Sequence, residues 1–246
     1  TNLVSSSTGY IMKKDSALKN MDSSLAGYWD METLTSSGLL KDLSGNGNDG
    51  VFSGGMSSTG SLTGGIVGRG MSFSNSGYSI EVPDTVTGSI LDITGDFTQE
   101  IVIYYSGGSS VNSGPIFFSK GIYPNYNYKL AFFNLTNKKN QIEFTMGIDG
   151  VHTSVISYPT SGTGNWYHIA GTYRNTTKEM KIYVNGKWNG SYTVSGAPGN
   201  NNYPLIFGKY FGTTGYSLAG IIDDVKLYKK TLSDSEIRQH AQIAGF

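Results

Sequence analysis

From Asn140 to Asp149 the chain sets Ile142, Phe144, Met146 and Ile148 on one side and Glu143, Thr145 and Asp149 on the other. An extended strand separates alternate residues in this way, because successive side chains point to opposite faces of a pleated sheet. The pattern predicts a strand with one face in a core and the other half exposed. The same period recurs along the chain. Asp96 to Tyr105 alternates Phe97, Gln99, Ile101 and Ile103 with Thr98, Glu100, Val102 and Tyr104, so both faces carry apolar residues, as in an inner strand. Met180, Ile182 and Val184 alternate with Lys181 and Tyr183 up to Asn185-Gly186. Both turn residues tolerate the positive φ of a type I′ hairpin, which returns Lys187-Trp188-Asn189 antiparallel. Further strands are expected over 26–31, 71–74, 78–82, 115–119, 126–133, 152–156, 166–173, 205–208 and 220–228. Roughly a dozen short strands at this spacing need two packed sheets to bury their apolar faces, so the fold class is all-β.

One helix is expected near the end. Ser233 stands three residues before Glu236, the spacing at which hydroxyl and carboxylate cap each other's backbone amides, and the helix should run through Gln242. Residues 1–23 differ from the rest and read as an N-terminal appendage, a short helix or tail, ahead of one sandwich over 24–246. The opening Thr1 fits the loss of an initiating segment.

Composition excludes several function classes. Lys plus Arg equals Asp plus Glu at 18 each, which leaves no basic field for nucleic acid. No apolar run approaches the roughly 20 residues that span a bilayer, so no membrane span is expected. With no Cys there is neither a disulfide framework nor a thiolate metal site. Only 15% of residues are charged, and this with abundant Ser, Thr, Asn and Tyr fits an extracellular or cell-surface protein. Sequons at Asn134, Asn175 and Asn189 are what a chain rich in Asn, Ser and Thr produces by chance.

Lys41-Asp42-Leu43-Ser44-Gly45-Asn46-Gly47-Asn48-Asp49-Gly50 alternates oxygen-bearing side chains with glycines. Such a loop can wrap a hard cation with side-chain and carbonyl oxygens. It reads equally as a plain Asn-Gly turn between strands. The bidentate Glu of an EF-hand is missing.

In its context this loop resembles the laminin G-like, concanavalin A-like jelly-roll superfamily. Tyr28-Trp29-Asp30-Met31-Glu32 precedes it in the place of the family's opening strand. Asn165 to Tyr173 resembles the tryptophan-x-histidine strand and is followed by Ile182-Tyr183-Val184-Asn185-Gly186. Gly220 to Tyr228 and Leu232 to Ile237 resemble the closing strand and helix. The likeness, over about residues 25–240, implies a two-sheet antiparallel jelly-roll β-sandwich with a short C-terminal helix. It also implies a structural calcium ion held by Glu32, Asp42, Ser44, Asn46, Asn48 and Asp223, with Asp49 in reserve. The strand pattern turns Asp223 inward with Ile221, Val225 and Leu227, where a carboxylate must be paired, hydrogen-bonded or metal-bound. Asp224 falls with Lys226 toward solvent.

His152, His168 and His240 show no metal-ligand spacing, and His168 reads as a structural residue of a sheet face. Glucan-cleaving members of the resembled superfamily cluster carboxylates on one strand, whereas Glu143 and Glu100 here stand among Phe, Ile, Val, Thr and Met. Hydrolysis is therefore disfavoured, and the expectation is no enzyme. Tyr123, Tyr126 and Tyr128 form one aromatic group around Pro124, and Tyr203, Tyr210, Phe211 and Tyr216 a second. Tyrosine rings suit the C–H faces of sugars and protein surfaces as well as ordinary sheet packing. The six tyrosines and the loops 105–115 and 196–203 are the expected ligand platform. The expected role is a carbohydrate-binding module whose partner is a glycan or cell-surface protein. The alternative is the head of a surface adhesin or pilin-like filament subunit, with the appendage making filament or homo-oligomer contacts.

Overall fold

A computed structural model of the chain describes residues 22–74, 77–86, 88–108, 114–133 and 140–246. Most of the expected appendage, and residues 109–113 of the 105–115 loop, lie outside the described residues.

The strands, numbered in chain order, form two sheets. One runs β13 (Lys187–Thr193), β12 (Glu179–Val184), β11 (Asn165–Arg174), β6 (Phe97–Gly108), β15 (Leu218–Tyr228), β4 (Arg69–Phe73) and β3 (Leu62–Gly64), with β1 (Leu25–Trp29) also paired to β15. The other runs β10 (Val151–Ile156), β9 (Gln141–Ile148), β8 (Asn125–Phe133), β7 (Ile116–Ile122), β14 (Leu205–Phe207), β5 (Ser79–Val82) and β2 (Val51–Ser53). Neighbours pair antiparallel, as in β8 against β9 and β6 against β11. The expected sandwich is the observed one, and the alternation of each strand explains it. Ile142, Phe144, Met146 and Ile148 of β9 join Tyr128, Leu130 and Phe132 of β8 in the core between the sheets. Opposite them stand Phe97, Ile101 and Ile103 of β6 and Ile169 and Tyr173 of β11. Trp29 lies fully buried, edge-on to Phe207 at 5.1 Å, and its Nε1 donates to the Asn48 carbonyl at 2.8 Å, which ties the 42–49 loop to the core.

Three local expectations change. β9 is not half exposed: Glu143 and Thr145 on its second face are covered as well. The short β2 and β3 escaped a reading by period because three residues show no repeat. On β15 a bulge lies between Ile222 and Val225, so Ile222 rather than Ile221 faces inward with Val225 and Leu227. Asp223 is fully buried, but within the bulge and not through simple alternation. Asp224 is half-buried and accepts from the Tyr28 hydroxyl at 2.9 Å.

The Asn185-Gly186 turn has φ of 52° and 73°, as a type I′ hairpin requires. Helix α1 (Asp234–Ile243) opens on the expected capping box of Ser233 and Glu236. Its Ile237 packs with Leu25, Tyr28, Tyr183 and Tyr228 on the outer side of the larger sheet. There Glu100, 3% exposed, meets His240 Nδ1 at 2.8 Å and His168 Nε2 at 3.5 Å. His168 is thus a buried sheet-face residue beneath the helix, as expected.

Candidate functional site

The residues of β8 and β9 that do not enter the core build the floor of a groove on the outer face of the smaller sheet. Ala131 stands beside Glu143, Lys129 beside Thr145, and Thr145 beside Ser154 of β10. Lys129 Nζ donates to Glu143 Oε2 at 2.7 Å, and the Ser154 hydroxyl donates to Glu143 Oε1 at 2.7 Å. His152 Nε2 lies 3.7 Å from the same carboxylate. Burial opposes the charge of Glu143, yet Lys129 and Ser154 hold its carboxyl below the usual carboxylate range. Burial first, and then the Lys129 ammonium, push His152 below its ordinary value of 6.5, so the imidazole is neutral at pH 7. The floor is polar and carries no net charge.

Tyrosines wall this floor. Gly147 leaves no space for a Cβ, which would stand 2.9 Å from the Tyr126 carbonyl oxygen. That close approach lets the β7–β8 turn, with its cis Tyr123–Pro124 bond, fold across β9. Tyr123 is 66% exposed and its ring lies 5.6 Å from that of His152. Tyr126 packs at 6.1 Å from Tyr210, which in turn lies 5.6 Å from Tyr216. The Tyr123 amide donates to the Tyr210 hydroxyl at 2.6 Å, joining the β7–β8 turn to the 208–217 segment. Lys129 Nζ sits 5.0 Å from the Tyr126 ring centre, a cation–π contact that fixes the ammonium at the wall. The groove encloses about 380 Å³. Four of the six expected tyrosines, Tyr123, Tyr126, Tyr210 and Tyr216, line it.

The other two do not. Tyr128 is fully buried between Phe97 and Phe118, with its hydroxyl donating to the Leu91 carbonyl. It belongs to the core because its position on β8 falls on the face of Leu130 and Phe132. Tyr203 packs against Phe211 at 5.1 Å, away from the groove lining.

The six expected calcium ligands fall into two groups. Asp42 Oδ1 accepts the Tyr28 and Ser44 amides, and its Oδ2 the Asn48 amide at 3.0 Å. Asn46 and Asn48 turn their amide groups to the Leu25 and Ala26 carbonyls. Asp49 Oδ1 accepts the Asp42 amide. The carboxylate of Asp42 thus organises the loop by accepting three backbone amides. Glu32 and Asp223 meet elsewhere, at the 65–69 turn: Asp223 Oδ2 accepts the Val67 amide at 2.9 Å and Glu32 Oε2 the Arg69 amide at 3.1 Å. Among the described residues no cluster of three or more His, Cys, Asp or Glu is arranged to hold a metal. The two carboxylates at one turn fit a hard cation only with help from backbone oxygens.

The family profile described as the concanavalin A-like lectin/glucanases superfamily matches residues 74–238. The chain belongs to that superfamily. No curated protein matches it. Among solved structures, the binding domain of Paraclostridial Mosquitocidal Protein 1 is 20% identical with a TM-score of 0.67, over 91% of this chain and 52% of that one. Domain 4 of AbnA, a GH43 extracellular arabinanase from Geobacillus stearothermophilus solved with arabinotriose, is 18% identical with a TM-score of 0.66, over 89% and 98%. A botulinum neurotoxin type C structure, whose cell entry depends on two ganglioside molecules, is 16% identical with a TM-score of 0.68, over 93% and 53%. The chain spans about half the length of the toxin chains and nearly all of the arabinanase domain. At these identities the likeness is one of fold.

For this member of the superfamily, sequence reasoning found the tyrosine wall and missed the charged floor. Lys129, Glu143 and His152 lie 14 and 9 residues apart, so no short motif joins them. The available signal was parity, since Lys129 and Glu143 both oppose the core-facing residues of adjacent strands.

Proposed function

We propose that the chain is a non-catalytic, extracellular glycan-binding module, and that the groove between β8, β9 and the 208–217 segment takes an uncharged sugar. One observation carries the reading: four tyrosines converge on a floor where Lys129, Glu143 and His152 offer hydrogen bonds with no net charge. Ring faces suit the C–H side of a pyranose or furanose, and the floor suits its hydroxyls. Among the described residues the lining holds a single carboxylate, Glu143, already ion-paired, whereas glycoside hydrolysis calls for two flanking acids. The arabinotriose complex of the arabinanase domain supports a neutral oligosaccharide as the ligand class. Retention in native gels containing arabinan, xylan, mannan or β-glucan, beside a glycan array that includes gangliosides, tests the reading. Binding to a neutral glycan that weakens in Tyr123→Ala and Tyr210→Ala is expected. A flat array with folded protein, or binding confined to sialylated glycans, would refute it.

We also propose a structural calcium ion at the 65–69 turn, with Glu32 and Asp223 as its carboxylate ligands and Asp42 as the organiser of the neighbouring loop. Support comes from two acids on distant elements that reach the same turn, where each accepts one backbone amide.

A further inference from the structure

Away from the groove, three large aromatic side chains stand in water on one edge of the sandwich. Tyr158 is 67% exposed, Trp188 50% and Tyr192 53%. They border a shallow depression of about 450 Å³ where β10, the edge strand of one sheet, meets β13, the edge strand of the other. The approach is built into the chain. A Cβ on Gly190 would stand 3.1 Å from the Ile156 carbonyl oxygen, so glycine there lets β10 come close. Pairing of β12 with β13 shifts between Ile182 and Tyr183, which leaves Asn189 as the extra residue of a bulge. Asn189 Oδ1 accepts the Tyr158 amide at 2.7 Å and fastens the segment that carries Tyr158 to the bulge. The bulge re-aims its neighbours, and both Trp188 and Tyr192 border the depression.

No charged side chain lines this depression, and its polar groups are hydroxyls and the Asn189 amide. The ligand chemistry is therefore uncharged and faced with C–H groups and hydroxyls. Ser154 connects the two places: its hydroxyl bonds Glu143 on the groove floor, and the same residue borders the edge depression. We propose that Tyr158, Trp188 and Tyr192 form a second subsite, one that binds the continuation of a neutral polysaccharide chain whose adjacent sugars occupy the tyrosine groove. This rests on the glycan-binding reading of the groove. It assigns the protein to the interior of long chains, because both places are filled together only by a polymer. A lipid surface fits less well, since the lining offers no Lys or Arg to headgroups.

The test compares wild type, Trp188→Ala, Tyr158→Ala and Tyr210→Ala in gels containing arabinan, xylan, mannan or β-glucan, and by titration with the trisaccharide of the retained polymer. Trp188→Ala should weaken polymer binding about five- to ten-fold, the value of one lost aromatic platform, and leave the trisaccharide affinity unchanged. Tyr210→Ala should weaken both. Of the other two tryptophans Trp29 is fully buried and Trp166 half-buried, so quenching of tryptophan emission by polymer that persists in Trp166→Phe and disappears in Trp188→Ala places the contact directly. Polymer binding by Trp188→Ala and Tyr158→Ala equal to wild type overturns the subsite while leaving the groove. An unaffected Tyr210→Ala with a defective Trp188→Ala refutes the groove, and with it the continuous track. Retention by none of the polymers, or capture by phosphatidylcholine vesicles in place of them, overturns both.

Discussion

The Lys129 ammonium lies 2.7 Å from Glu143 Oε2 with both side chains less than a tenth exposed, on adjacent strands of the groove floor. A pair so placed is costly to break from one side, because the remaining charge stays buried without its partner. Lys129→Met should therefore lower stability by about 3–5 kcal/mol, read as a fall in the urea midpoint. Replacing both residues, as Lys129→Met with Glu143→Leu, should restore most of that stability while removing glycan binding. A single variant as stable as wild type would show that the pair is relaxed by water and would weaken the picture of a dry, charge-balanced floor.

Glu100 offers a pH dependence of defined sign. Burial would push its carboxyl up, but His240 and His168 overcome this and hold it well below the usual carboxylate range. A depressed folded value means that the unfolded chain binds the proton more readily. The stabilisation is fully present above the unfolded value near 4.5 and is lost as pH falls toward the folded one. Between about pH 5 and about pH 3 the melting temperature of wild type should drop more steeply than that of Glu100→Gln. Parallel slopes would show that other carboxylates, not the one beneath α1, govern acid unfolding.

How far the sequence spoke for the structure depends on the range of each interaction. The β9 alternation, the Asn185-Gly186 turn and the Ser233–Glu236 cap are set by neighbours within a few residues, and all three appear where period and spacing put them. The inward turn of Asp223 was right for a different reason, since the bulge on β15 breaks the alternation on which it was argued. Tyr128 shares a short segment with the exposed Tyr123 and the groove-lining Tyr126, while its parity with Leu130 and Phe132 points to the core. The edge aromatics Tyr158, Trp188 and Tyr192 were not legible at all. They come from β13 and from the segment that follows β10, and only the packing of β10 on β13 gathers them.

The proposed cation and the 42–49 loop separate by experiment. Asp42 accepts three backbone amides with both carboxylate oxygens, so Asp42→Ala leaves buried donors unmet and should destabilise the chain whether or not calcium is present. A site that exists only in the native state stabilises by linkage, so EDTA should lower the melting temperature of wild type and added calcium should restore it. Asp223→Asn should abolish that response. An EDTA shift that survives in Asp223→Asn but vanishes in Asp42→Ala would return the ion to the loop, and no shift in wild type would remove it.

Two tyrosines five residues apart distinguish packing from binding. Tyr128 is fully buried, with ring centroids 5.5 Å from Phe97 and 5.9 Å from Phe118, and its hydroxyl has the Leu91 carbonyl as partner. Tyr128→Ala leaves a cavity between the sheets as well as an unmatched carbonyl, and should cost about 3–5 kcal/mol. Tyr123, 66% exposed at the rim, gives up little burial when truncated, and Tyr123→Ala should unfold within about 0.5 kcal/mol of wild type. Chemical denaturation beside glycan titration separates the two roles: Tyr123→Ala should lose affinity at unchanged stability, whereas Tyr128→Phe should lose a little stability at unchanged affinity. Should Tyr123→Ala bind as tightly as wild type, the ligand does not reach the rim, and the contact area of the groove contracts to Tyr126, Tyr210 and Tyr216.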